Sequence, residues 1–311
     1  MLRAMEAAPW SWGSRLTFLL VVVFWGLNYP FVNLGLTAAS PLWLASLRAG
    51  IGALATLGVV SARHAWGSLD RAARRDAIVL GLLNTGAFFG LWFWAAREVT
   101  PGLAAVIIYT FPLWVALLSL PVLGRGLHGC QWASVGVGFA GVALISQLGE
   151  TGGSSVSVPA AVALLLAALA WALGTVLFQR RFRPSQLMEA NAWQLLGGTS
   201  GLLAATLAIA PRPLPTATPS LVASLLWMGL LGTAAAYLIW FSLLARTPAS
   251  TLSAYTFLVP VVALAFSAAF LGERLDYLQL VGVALVLASI YGIGRAYGNR
   301  SEHDGPRPQA T

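Results

Sequence analysis

Ten separate apolar runs, each long enough to cross a bilayer, fill nearly the whole chain. A membrane span needs ~20 largely apolar residues. Such runs lie near 15–35, 41–61, 76–96, 101–122, 129–147, 158–178, 185–210, 220–243, 248–271 and 276–295. Hydrocarbon offers no partner for backbone N–H and C=O groups, so a span must be a helix or part of a closed barrel. Runs this long, without period-two alternation, are helices. The expected fold is therefore an all-α integral membrane protein. Mean hydropathy is +0.79 and 9% of residues are charged. A soluble domain carries about a quarter charged residues, so here lipid replaces water around most of the surface.

All 18 basic residues are Arg, and the formal net charge is +8. The arginines are spread over loops and form no single basic face, which argues against nucleic acid as a partner. Without Lys there is no Walker A lysine and no Schiff base. The single cysteine, Cys130, excludes an intramolecular disulfide and a multi-cysteine metal site. His64, His128 and His303 fall in loops or the tail, away from any intramembrane site. A membrane enzyme needs a nucleophile–base pair or metal ligands inside the spans, so no enzymatic activity and no cofactor are expected. The first apolar run is too long for a signal-peptide core and lacks a small-residue cleavage site, so it is expected to stay as the first span.

The arginines alternate from loop to loop. Arg3 and Arg15, then Arg63, Arg71, Arg74 and Arg75, then Arg125, then Arg180, Arg181 and Arg183, then Arg246, then Arg295, Arg300 and Arg307 lie on one side. The other side holds Arg97, Arg212 and Arg274, and Arg48 lies within a span. The positive-inside rule puts both termini in the cytoplasm, which an even number of spans allows.

The chain also repeats itself with a shift near 147 residues. The run from Gly81 to Phe93 matches that from Gly229 to Phe241. Thr100-Pro101 matches Thr247-Pro248, Tyr109-Thr110-Phe111 matches Tyr255-Thr256-Phe257, and Trp25 matches Trp171. These define a first five-helix repeat at 15–147 and a second at 158–295. They are joined by a small polar external linker at 148–157, with a cytoplasmic segment at 1–14 and a tail at 296–311 expected to be disordered. An odd number of spans per repeat makes the second copy enter the membrane from the opposite face. Two inverted five-helix units are thereby expected around a pseudo-two-fold axis in the membrane plane, an arrangement tied to alternating-access transport with the site at the repeat interface.

The candidate site follows from polar and aromatic residues inside the spans. Trp25, Asn28 and Tyr29 share one face of the first helix at i, i+3, i+4 spacing. Asn84, Phe88 and Trp92 form a stripe in the third. Thr233, Tyr237 and Trp240 lie in the eighth, and Trp171 and Thr175 in the sixth. Tyr109 and Tyr255 occupy matching places in the fourth and ninth. Aromatic faces suit a flat apolar solute, and amide and hydroxyl groups orient its polar end. Ordinary helix packing is the alternative for each of them. Trp10, Trp12, Trp43, Trp66 and Trp132 lie at span ends and are assigned to interfacial belts. Arg48 and Glu189 are the ionisable residues within spans, which makes each a candidate for a charge role. Both also lie close enough to an end to snorkel or to pair locally. Pro30, Pro112 and Pro260 fall inside helices, as gating pivots or as static kinks. Gly136, Gly138, Gly141 and Gly282 permit close contact of the fifth and tenth helices, as packing within the chain or as a dimer face. Monomer and homodimer both remain open. No Asp or Glu lies near the middle of a span, which favours downhill facilitated transport over obligate proton coupling.

With these features in place, the chain resembles the drug/metabolite transporter superfamily in its ten-helix EamA form. The carriers are Phe24-Trp-Gly-Leu-Asn-Tyr-Pro30, Leu47-Arg-Ala-Gly50, the Thr-Pro starts of helices four and nine, and Leu271-Gly-Glu-Arg-Leu275. The first repeat departs from the last motif, with Arg125 at the place answering Glu273. The resemblance implies a bacterial inner-membrane carrier of small metabolites. The aromatic-rich spans are most similar to those of exporters of aromatic and other neutral amino acids. A proton-coupled multidrug exporter, a channel and a lipid-handling protein are the competing readings.

Overall fold

The structure is a computed structural model that describes residues 12–96, 98–99, 101–124, 126–147, 157–210, 212–270 and 276–303. The first eleven residues, the linker from 148 to 156, Arg125, the Leu271–Leu275 motif and residues 304–311 lie outside the described residues.

Ten membrane helices are present among the described residues, with no strand. They are α1 (Trp12–Leu36), α2 (Pro41–Ala62), α3 (Arg71–Ala95), α4 (Pro101–Ile108 and Phe111–Leu123) and α5 (Gly129–Gln147). The second half comprises α6 (Val158–Arg181), α7 (Pro184–Ile209), α8 (Pro219–Leu244), α9 (Ala249–Tyr255 and Leu258–Phe270) and α10 (Tyr277–His303). Within α5 and α10 the apolar stretches Gly129–Ile145 and Tyr277–Ile293 are shorter than in the other eight. α10 stays helical to His303, past the end expected at residue 295, so residues 296–303 extend the helix where disorder was expected.

Helix starts are written in local chemistry. Prolines in the first turn open α2, α6 and α8, where the absent N–H is no loss. Asp70 caps α3 by accepting from the Ala73 N–H at 2.7 Å, and Thr218 caps α8 by accepting from Leu221 at 3.2 Å. Gly124 ends α4 with φ of 68°, the left-handed conformation that glycine takes without steric cost.

Three helices are interrupted: α1 at Leu27, α4 at Tyr109–Thr110 and α9 at Thr256–Phe257. Pro30, Pro112 and Pro260 each stand just inside the following half-helix. A proline ring clashes with the carbonyl four residues back. For these three prolines that carbonyl belongs to Gly26, Ile108 or Thr256; Gly26 and Ile108 end the preceding halves, and Thr256 directly follows Tyr255, which ends its own. Two further departures are π-helical, at Leu82–Ala87 in α3 and Trp227–Ala235 in α8. They occupy matching places in the two repeats.

The packing has the symmetry of the sequence. α3 packs on α7 as α8 packs on α2; α4 packs on α6 as α9 packs on α1; α3 packs on α6 as α8 packs on α1. The contacts of α5 with α10, α2 with α7 and α4 with α9 map onto themselves. The two repeats are thus inverted halves around one axis. Gly141 and Gly282 face each other across the α5–α10 contact, where an added Cβ on either would stand 2.7 Å from the other's carbonyl. These two glycines serve the close contact of the fifth and tenth helices within the chain.

Candidate functional site

Residues that touch their own repeat equivalents must lie near the axis, and two aromatic pairs do so. Trp25 meets Trp171 edge-to-face with ring centroids 5.9 Å apart, and Phe89 meets Tyr237 at 6.4 Å. Around them is a cavity of about 50 Å³. That volume holds roughly three to five waters. Its walls are Trp25, Asn28 and Tyr29 of α1, Arg48 of α2, and Phe88, Phe89 and Trp92 of α3. Ile108, Tyr109 and Phe111 of α4, Trp171 of α6 and Tyr237 of α8 complete them.

Rings line most of this space. Phe88 lies 5.1 Å from Trp171 and 5.5 Å from Trp92, and Tyr29 packs on Trp92 at 6.2 Å. Tyr29 and Tyr109 both line the cavity. Trp25 Nε1 donates to the Gly232 carbonyl at 3.2 Å. π-helical turns leave carbonyls imperfectly used by the helix itself, and Gly232 lies within such a segment.

Two asparagines enter through glycines. Asn28 packs against the Cα of Gly232, and Asn84 packs against that of Gly174. A side chain at either glycine would collide with the amide. Asn28 and Gly174 hold matching places in the repeats, as do Asn84 and Gly232, so one Asn-on-Gly contact occurs twice with the roles exchanged between halves.

Arg48 is 2% exposed and does not snorkel to an interface. Nε donates to Thr233 Oγ1 at 3.1 Å and Nη2 to the Gly232 carbonyl at 3.4 Å. The guanidinium carbon lies 4.3 Å from the Phe89 ring centroid, a cation–π arrangement. Nη1 is buried with no hydrogen-bond partner. Among the described residues the ion pairs join Arg74 to Glu189, and Arg75 and Arg181 to Asp76; Arg48 joins none.

Glu189 lies elsewhere, at the start of α7, and is wholly buried. Its carboxylate accepts from Ser68 N at 2.7 Å, Ser68 Oγ at 2.8 Å, Leu69 N at 3.1 Å and Trp193 Nε1 at 3.2 Å. Arg74 Nε stands 3.3 Å from it. This is local pairing that ties the loop before α3 to α7, and it leaves the group no role in the cavity.

Of the residues singled out in the sequence, the structure brings Trp25, Asn28, Tyr29, Phe88, Trp92, Tyr109, Trp171, Tyr237 and Arg48 to the cavity wall. Asn84, Thr175, Trp240 and Tyr255 stand outside it. The π-helical turn at Leu82–Ala87 moves Asn84 off the stripe of Phe88 and Trp92. Its amide instead donates to Gln194 Oε1 of α7 at 3.0 Å. Trp240 backs the wall, with its ring 5.3 Å from Trp25 and 6.2 Å from Trp171. Thr175 is buried beside Gly174, and Tyr255 packs on Phe18 at 6.0 Å. Phe89, Ile108 and Phe111 were not singled out. Phe89 was findable as the equivalent of Tyr237, and Phe111 from the repeated Tyr-Thr-Phe. Ile108 faces the cavity next to the break before Pro112, which helical periodicity does not foresee.

Known proteins share this architecture. The EamA-like transporter family matches twice, over residues 13–147 and 158–295. A "Probable amino-acid metabolite efflux pump" of Escherichia coli (strain K12) is 29% identical over 88% of this chain and 92% of its own length. Protein PecM of Dickeya dadantii (strain 3937) is 32% identical over 86% of this chain and 87% of its own length. A solved crystal structure superposes with a TM-score of 0.77 at 17% identity, covering 92% of this chain and 98% of the other, which speaks to the fold. The chain belongs to the EamA-like transporter family, and it is a multi-pass membrane transporter.

Proposed function

We propose that this transporter exports small neutral metabolites, aromatic and other neutral amino acids foremost, by alternating access and without obligate proton coupling. The observation that carries this reading is the aromatic cavity on the pseudo-two-fold axis. Its walls have ring faces for a flat apolar body, and hydroxyl and amide groups for a polar end. Two relatives named "Probable amino-acid metabolite efflux pump", from Escherichia coli and Salmonella typhimurium, support the same solute class. Alternating access requires the walls to part toward each face in turn. The arginine distribution supports termini on the cytoplasmic side.

A proton-coupled exporter is the second reading. It calls for a carboxylate free to exchange its proton along the transport path. The intramembrane candidate, Glu189, is held by four hydrogen bonds and Arg74, which favours the uncoupled reading.

The test is reconstitution of the full chain into proteoliposomes with radiolabelled phenylalanine, tryptophan or threonine. Saturable uptake with counterflow is the expected outcome. Uptake that rises linearly with concentration, without counterflow, would point to a channel and contradict the proposal.

A further inference from the structure

Arg48 is the one charged side chain among the cavity-lining residues. A guanidinium cannot give up its proton to escape the cost of burial. A buried charge is tolerated when it is paired and fully hydrogen-bonded. Arg48 has part of that: Thr233 Oγ1, the Gly232 carbonyl and the Phe89 face. Nη1 remains without a partner, and no Asp or Glu lines the cavity. The protein groups around Arg48 therefore leave it short of one acceptor and one negative charge.

We infer that Arg48 is the anchor for a carboxylate on the solute, so that the cavity selects organic acids, free or as amino-acid zwitterions, over the corresponding amines and amides. A single guanidinium matches a carboxylate in charge and in its forked geometry. A phosphate dianion would need a second cation, which the walls lack. The apolar part of the solute then extends from Arg48 past Phe88 and Trp92 toward Trp25 and Trp171. A solute that is only cationic meets no counter-charge and is repelled by Arg48. This deepens the export reading and rests on it only for the claim that the bound acid is cargo.

The test measures binding and transport separately on the purified full chain. Calorimetric titrations use L-phenylalanine, 3-phenylpropionate, L-phenylalaninamide and phenethylamine. The two acids are expected to bind about 10- to 100-fold more tightly than the amide and the amine, the range for one hydrogen-bonded charge pair. Arg48→Gln is expected to bring all four within about threefold of one another. Equal binding of acid and amide, discrimination that survives Arg48→Gln, or no binding of either acid overturns the anchor. If Arg48→Gln does not fold, the four ligands on the unaltered chain decide alone. Acids that bind tightly while phenylalanine is not moved across the proteoliposome membrane would leave the anchor standing and remove the export reading. Phenylalanine transport inhibited equally by phenethylamine would keep export and remove the anchor.

Discussion

Trp25 and Trp171 hold the same place in the two repeats, and their indoles meet edge-to-face with centroids 5.9 Å apart. One side chain from each inverted half therefore reaches the axis about which the halves are related. In an alternating-access carrier that axis is the one place seen equally from both sides. Under the proposed alternating access, a pair that closes on the axis parts toward either face in turn.

Trp171→Ala is expected to lower the transport rate about tenfold or more, since the ring contacts Trp25, Phe88, Tyr237 and Trp240 at once. Expression and insertion should be unchanged, and Trp171→Phe should recover most of the rate. Initial rates in proteoliposomes at matched protein levels check this. An unchanged rate in the alanine variant would remove Trp171 from the site.

The exchange of Asn and Gly between halves gives a second prediction. Gly174→Ala places a methyl group into the Asn84 amide and should destabilise the protein by about 1–3 kcal/mol, the usual cost of overpacking. Adding Asn84→Gly should recover much of that loss, because the collision and its partner are removed together. Thermal melting in detergent of the single and double variants measures the coupling. Equal melting temperatures for both would show that the two residues do not meet.

Glu189→Gln should act on stability and not on coupling. Its carboxylate holds two backbone N–H groups, a hydroxyl and an indole, and losing the charge weakens all four. A loss of about 2 kcal/mol is expected. The folded variant should transport within about twofold of the unaltered chain, with no change in proton movement. A substrate-linked proton flux abolished by this substitution would restore Glu189 as a relay.

Pro112→Ala should heal α4 across Tyr109–Thr110. Losing the ring relieves the clash with the carbonyl of Ile108 and restores a helical N–H to bond it, and Tyr109 and Phe111 then turn relative to the cavity they now line. Melting temperature should hold or rise while transport falls about fivefold or more, the pattern of a lost working geometry rather than a lost fold. Unaltered transport kinetics would mean the break is a static kink without function.

Most of the fold was legible because bilayer thickness and backbone hydrogen bonding leave few options to ten apolar runs. The repeat was legible from ordered matches such as Gly81 to Phe93 with Gly229 to Phe241. The site was legible where ideal helical spacing holds, as for Trp25 with Asn28 and for Phe88 with Trp92. It failed where the backbone departs from that spacing. Asn84 follows from a π-helical turn that rotates it toward Gln194, and Ile108 from the interruption ahead of Pro112. Arg48 was ambiguous because sequence depth alone does not separate a snorkelling arginine from a buried one. The Gly232 carbonyl and Thr233 that hold it come from the other repeat, 184 and 185 residues away.

The most direct measurement concerns access to the cavity. In a Cys130→Ser background, Phe88→Cys places a thiol on the cavity wall, and a membrane-impermeant maleimide is applied from one face of the vesicle at a time. A cavity on the axis of two inverted halves predicts labelling from either face, with saturating phenylalanine slowing both. Labelling confined to one face under every condition would contradict alternating access through this site.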